Sequence, residues 1–216
     1  MRLDQIFSQA KPAATLWRGI QILGFSIGDA EEIRAMLSRI PFELLKWVMT
    51  IRYAPELAPK HGRYLPDENT ILVNPHTFKL RQRFGVGPGW IRHGELMVIH
   101  EVGHSVYEHL DQSLKDQWLR LGGWVKGEQA GNKPAFVEGR PGWPPYTSKW
   151  TMKKGVKVPR YYSTKTPDEC FADCFAFFLL DKPHQMAPTL SIFIRKIISG
   201  KVSVYPQVAF FGPMKK

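Results

Sequence analysis

Cysteine is scarce in this chain: two thiols, Cys170 and Cys174, stand among 216 residues. One helical turn apart, they read as small apolar packing residues. That reading is favoured over a disulfide framework, and the alternative, a CxxxC redox or metal pair, has no further thiol ligands to complete it. This weakly favours a reducing compartment. Long apolar runs are missing too. No stretch of 18 apolar residues occurs, and the N-terminal region offers Lys11, Arg18 and a short apolar patch over 19–28 broken by Gln21, so neither a membrane span nor a convincing signal peptide is expected. No internal repeat is evident. The glycine-rich run Phe84–Gly89 lacks the Lys-Ser/Thr ending of a phosphate loop and follows no clear strand, so it reads as a turn.

Acidic residues are also in short supply, 19 against 30 basic, which gives a formal charge of +11. The excess is uneven: residues 122–160 hold eight basic and two acidic side chains, interleaved with Trp124, Phe136, Trp143, Tyr146 and Trp150 among glycines and prolines. Connections longer than about 12–15 residues inside a domain are usually functional or disordered, and the aromatic content argues against disorder. This segment is expected to wall a cleft and to offer an acidic partner a surface. The plainer reading is a solvated basic loop whose tryptophans cover the core. No RNA- or DNA-binding motif accompanies it, and a basic balance alone supports only nonspecific attraction, so a nucleic-acid partner is not expected.

Against these absences stands His100-Glu101-Val102-Gly103-His104. Histidines four residues apart share one face of a helix and can grip one tetrahedral zinc ion, with the intervening glutamate beside the position open to water. With 7 His and 11 Glu in the chain, a shuffled sequence would show the pattern about 0.01 times. The surroundings look helical: Leu96, Ile99, Gly103, Val106 and Leu110 follow an i, i+3, i+4 rhythm, with both histidines off that stripe. Gly103 costs roughly 1 kcal/mol in a helix interior relative to Ala, which points to something passing close to the backbone there. The competing reading is an ordinary amphipathic helix with hydrogen-bonded histidines.

A partner stretch lies downstream. Thr166 at the N-cap, Pro167 at N1 and acidic residues in the first turn open a second helix, on which Glu169 and Asp173 lie one turn apart on one face of an otherwise apolar surface. Buried carboxylates need a partner or a metal, so two facing the same way point to a site. Glu169 would complete a His-His-Glu ligand set, and Asp173 could hold the second ring N–H of a ligand histidine. Two alternatives remain open. Thr166-x-x-Glu169 is also a capping box, and Asp173 could instead pair with a neighbouring backbone or an arginine such as Arg160.

His100-Glu101-x-x-His104 followed by a tyrosine, with Glu169-x-Phe171-Ala172-x-x-Phe175 on a helix, resembles the catalytic domain of anthrax lethal factor and the related Pro-Pro endopeptidases, which are gluzincin metallopeptidases. The resemblance covers roughly residues 60–182. It implies one zinc ion held by His100, His104 and Glu169, with Glu101 as general base. It also implies that Tyr162, seven residues before Glu169, stabilises the oxyanion, with Tyr161 as the fallback. A phenol O–H beside zinc can donate to a carbonyl oxygen as charge develops on it, whereas the alternative for both tyrosines is a hydrophobic staple outside the helix. The 64 residues between His104 and Glu169 are a long connection relative to that family.

The remaining pattern is coarser. Ala30–Met49 reads as helix ended or bent by Pro41, Asn69–Asn74 as a short strand ahead of the motif helix, and Leu190–Val204 as helix then strand. The expected architecture is α+β: a helical N-terminal segment or arm over 1–59, then a zincin-like domain over 60–216 with a motif helix, a glutamate helix, a small sheet and the basic insertion. The expected activity is zinc-dependent endopeptidase cleavage of a protein or peptide substrate. The alternative is a noncatalytic structural protein that keeps a zinc site for stability within a larger protein assembly such as a viral particle. A cytoplasmic or virion-associated location is expected over a secreted one.

Overall fold

The computed structural model describes residues 14–58, 60–74, 81–82, 91–126, 135–137, 146–148 and 150–201. Strands β1 (Thr15–Trp17) and β2 (Ile20–Leu23) form a hairpin whose two-residue turn, Arg18-Gly19, has positive φ at both positions (49° and 85°), matching the right-handed twist of the strands. Helix α1 (Ile27–Leu37) is capped by Ser26, whose hydroxyl accepts the Asp29 amide at 3.2 Å. The helical pattern expected over 30–49 breaks where Pro41 stands, leaving a single turn, α2 (Phe42–Leu45), beyond it.

Strand β3 (Thr50–Tyr53) then pairs parallel with β2, and the hairpin β4 (Gly62–Leu65) and β5 (Thr70–Val73) completes a mixed five-stranded sheet in the order β1-β2-β3-β5-β4. β5 lies within the strand expected over 69–74. The sheet runs across the 59/60 boundary drawn from the sequence, and residues before that boundary supply three strands as well as two helices.

A two-stranded pair, β6 (Arg81–Gln82) with β7 (Ile91–Arg92), leads into the long helix α3 (His93–Glu108). α3 packs against β4, β5 and α1 as well as against α5 (Pro167–Leu179). Being covered from several directions, it buries more than the stripe read from its sequence, and His100, at 2% exposure, lies inside rather than off the buried surface. Helix α4 (Gln112–Gly122) follows, capped by Asp111, which accepts the Leu114 amide at 2.8 Å, and closed by Gly123 in the left-handed region.

Part of the basic connection is strand rather than loop: β8 (Val125–Lys126) pairs with β11 (Trp150–Thr151), and β9 (Ala135–Val137) with β10 (Tyr146–Ser148). Trp124 is buried and Trp150 packs against the core. The Phe84–Gly89 turn, most of the 127–149 segment and the strand expected after residue 201 lie outside the described residues.

Helix α6 (Pro188–Ile198) closes the fold. An aromatic cluster joins the helices: Trp118 of α4 meets Phe171 of α5 edge-on at 5.3 Å and Phe193 of α6 at 5.4 Å, while its indole N–H donates to the Pro167 carbonyl at 2.8 Å. Burying each such ring contributes about 2–3 kcal/mol, so this cluster fixes the end of α5 from which Glu169 projects. The architecture is α+β, and no helix among the described residues is long and apolar enough to cross a membrane.

Candidate metal centre

Two helices meet at unusually short range to form the centre. A Cβ placed on Gly103 of α3 would lie 2.7 Å from the Ala172 Cα of α5, so the absence of a side chain is what lets the backbones approach. This is the close neighbour that a glycine inside a helix implied. Around that contact, α3 presents His100, three residues before Gly103, and His104, directly after it, while α5 presents Glu169, three residues before Ala172, and Asp173, directly after it.

Thr166 caps α5 by accepting the Glu169 amide at 3.4 Å, but the Glu169 carboxylate does not return to the cap. It turns instead toward the histidines. Its Oε2 lies 3.1 Å from His100 Nε2 and 3.3 Å from His104 Nε2, and the two ring nitrogens are 3.1 Å apart. An ion ~2.0–2.1 Å from each of three tetrahedral ligands would space them by ~3.3–3.4 Å, so the triangle is close to the face that a zinc-sized cation requires.

The chemistry of the donors agrees. His100 Nδ1 sits 2.8 Å from Asp173 Oδ1, which fixes the N–H on that side and leaves Nε2 with a lone pair. That lone pair, the ring nitrogen of His104 and a carboxylate oxygen therefore converge, and Glu169 Oε2 is buried without a well-directed hydrogen bond. Converging acceptors repel unless a cation or a proton lies between them. Without a cation, the proton falls to His100: burial alone would lower its pKa, but the Asp173 and Glu169 carboxylates outweigh that and push it up to about 10. The same histidines, by their close approach and charge, overcome burial to hold Glu169 far below the usual carboxylate range. His100, His104 and Glu169 thus form a cluster that could hold a metal ion.

Glu101 is 4% exposed and points toward β4, where a Cβ on Gly62 would lie 2.8 Å from its Oε1. Burial raises its pKa; His100, His104 and a hydrogen bond from the Tyr64 backbone amide pull the other way, while Glu169 adds to the rise. Burial thus leaves a carboxyl with a raised pKa beside the triangle, a group able to take up and release a proton.

Asp173 is completely buried and collects four donors. Besides His100, the Arg160 Nε lies 3.0 and 2.9 Å from its two oxygens, the Arg160 Nη2 makes a further close contact, and the Ser163 hydroxyl donates at 2.6 Å. Burial would raise its pKa, yet the Arg160 guanidinium and His100 hold it well below the ordinary range. The histidine partner and the arginine partner drawn from the sequence as alternatives are both present.

Tyr162 lies on a short 3-10 turn, Tyr161–Thr164, and its hydroxyl donates to Glu169 Oε1 at 2.8 Å. Its donor is therefore turned to the Glu169 carboxylate. Burial, the Glu169 charge and that hydrogen bond raise its pKa strongly, so it is a neutral donor at any physiological pH. The Tyr161 side chain lies outside what is described.

Several residues at the centre were not singled out as site residues. Ser163 and Gly62 carried no signal, being an ordinary turn residue and a strand glycine distant in sequence. Asp168 stands 3.7 Å from His104 Nδ1, on the ring side opposite the triangle, and its place directly before Glu169 was the clue available. No protein-family model, no curated protein and no solved structure matches this chain.

Proposed function

We propose that the centre binds one zinc ion and hydrolyses a peptide bond, within a zincin-like domain. The observation that carries this reading is the triangle of His100 Nε2, His104 Nε2 and Glu169 Oε2, with edges of 3.1 to 3.3 Å, beside a buried carboxylate that is not one of its corners. Zinc supplies Lewis-acid polarisation of a carbonyl and acidifies water when bound at such a site.

The chain's own groups do the rest. Glu101 takes the proton of the attacking water and returns it to the departing amine, a task suited to a carboxyl whose pKa burial has raised. Tyr162 supplies a neutral O–H to the oxygen on which negative charge develops, releasing Glu169 Oε1 as it swings. Asp173 keeps the His100 ring oriented and its N–H committed. Among the described residues β4 is an edge strand, and its Gly62 adjoins Glu101, so an extended peptide can add to that edge and present its carbonyls to the centre. The substrate class is accordingly a peptide or protein in extended form, and the basic character of residues 122–160 favours an acidic one.

Elemental analysis of the purified protein, with His100→Ala, Glu169→Ala and Glu101→Gln alongside, tests this. One zinc per chain, weakened in the first two variants and kept in the third, together with loss of peptide cleavage in Glu101→Gln, is the expected result. Cleavage unchanged in Glu101→Gln removes Glu101 as base; zinc fully retained by Glu169→Ala removes Glu169 as ligand.

A further inference from the structure

Arg160 is joined to the centre in a way that the ligand set alone does not require. It stands immediately before the 3-10 turn that carries Tyr162, and Ser163 stands just after the tyrosine. The two are bonded to one another: the Ser163 amide donates to the Arg160 carbonyl at 3.1 Å and the Arg160 amide to the Ser163 hydroxyl at 3.2 Å. Both then reach the same carboxylate, Asp173, the guanidinium through Nε and Nη2 and the serine through its hydroxyl. Asp173 is also the acceptor for His100 Nδ1. One buried anion thus ties a ligand histidine on α3 to both sides of the turn bearing the phenol. The Arg160 guanidinium lies 5.3 Å from the Tyr162 ring centre, so it touches the ring as well as its backbone neighbours.

We infer that Arg160 is a positioning residue for Tyr162: its forked grip on Asp173 holds the tyrosine turn in register with His100, so that the ligand set and the phenol are placed as one unit. An arginine suits this because its planar fork fixes direction as well as charge, which a lysine does not. The inference rests on the proposed hydrolytic centre for its catalytic consequence, but the mechanical coupling it describes is a property of the chain.

The test uses Arg160→Lys, which keeps a charge beside buried Asp173 so that the protein folds, and Arg160→Met as the stronger variant. With 3-fluorotyrosine incorporated, the Tyr162 fluorine resonance is assigned by its loss in Tyr162→Phe and followed as zinc is added. In the wild type it shifts on zinc addition. In Arg160→Lys that response is expected to collapse while one zinc per chain is still bound. For turnover, Arg160→Lys is expected to lower kcat about ten- to hundredfold with little change in KM, and to cause no further loss in a Tyr162→Phe background. Losses that multiply in the double variant, or a Tyr162 resonance that answers zinc as before, overturn the inference. Absence of cleavage in the wild type would sink the hydrolase reading while leaving the resonance experiment to decide this one.

Discussion

Gly103→Ala separates the helix-contact argument from ordinary helix propensity, because the two predict opposite signs. On a helix with room around it, replacing Gly by Ala stabilises by roughly 1 kcal/mol. At Gly103 the added methyl would meet the Ala172 Cα at 2.7 Å and its Cβ and carbonyl oxygen at 3.2 Å. Those are backbone atoms and a stub side chain, which cannot rotate away. Ordinary contact begins near 3.4 Å, so α3 and α5 must separate by about 0.7 Å. Overpacking of that kind costs about 1–3 kcal/mol, which exceeds the propensity gain and leaves the variant destabilised by on the order of 1 kcal/mol.

The consequence for the centre is larger. Glu169 precedes Ala172 by three residues on α5, so the separation moves its Oε2 away from two nitrogens that it now meets at 3.1 and 3.3 Å. Metal–ligand lengths tolerate about ±0.2 Å, and zinc affinity should therefore fall by at least about tenfold. Urea denaturation with and without zinc, and competition against a chromophoric chelator, measure both effects. Gly28→Ala on α1, where nothing lies within 4 Å of the added carbon, is the control and should be neutral or stabilising. If Gly103→Ala matched that control and bound zinc as tightly as the wild type, the close approach of α3 and α5 would be refuted.

Gly62→Ala places a carbon 2.8 Å from Glu101 Oε1, displacing the proposed base without touching a ligand. Turnover should fall at least about tenfold while zinc content stays at one per chain, which steady-state kinetics beside elemental analysis will show. A pH effect should arise at His93, which is 3% exposed and whose pKa is lowered to about 4 by burial first, then by the charges of His61 and Arg160. The unfolded chain takes up that proton near pH 6.5 and the folded chain only near 4. The stability His93 contributes is therefore complete above pH 6.5 and lost as pH falls from there through about 4, by up to about 3 kcal/mol. Metal-free His93→Gln should show a shallower decline than metal-free wild type over that interval in urea melts, and parallel curves would refute the assignment.

What could be read from the sequence was local. Thr166 and Pro167 announce the start of α5 because a cap and a fixed φ act within one turn, and Gly103 announced a close neighbour because its cost has no local compensation. The direction of the Glu169 carboxylate was not readable. A capping box and a metal ligand use the same residue at the same spacing, and only the packing of α5 on α3 decides between them. Helix α4 was legible as well, from the Asp111 cap, the one-turn spacing of Leu114 and Trp118 and the Gly123 stop, with its polar residues on the opposite face, although no expectation was drawn there. Strands β1 to β3 were less legible: they are three or four residues long, and β2 and β3 gain their stability from parallel partners far away in sequence. Arg160 was visible only as a general partner for Asp173, because its bond to the Tyr162 turn depends on a conformation that no spacing rule encodes.

Charge explains why these residues tolerate one another in the interior. Glu101, Glu169 and Asp173 bring three carboxylates together, and Arg160 offsets one of them. With both imidazoles neutral the cluster carries a formal −2, which one divalent cation at the triangle would balance. Protons do this less well. They must be shared between His100, held up to about 10, and Glu101, whose pKa burial raises. A divalent cation would therefore do two things at once: free His100 to present its lone pair, and let Glu101, the proposed base, remain an anion. The proposed ligand set and base are thus coupled through one charge balance, so binding of a divalent ion should contribute to folding stability and keep Glu101 ionised in the same step.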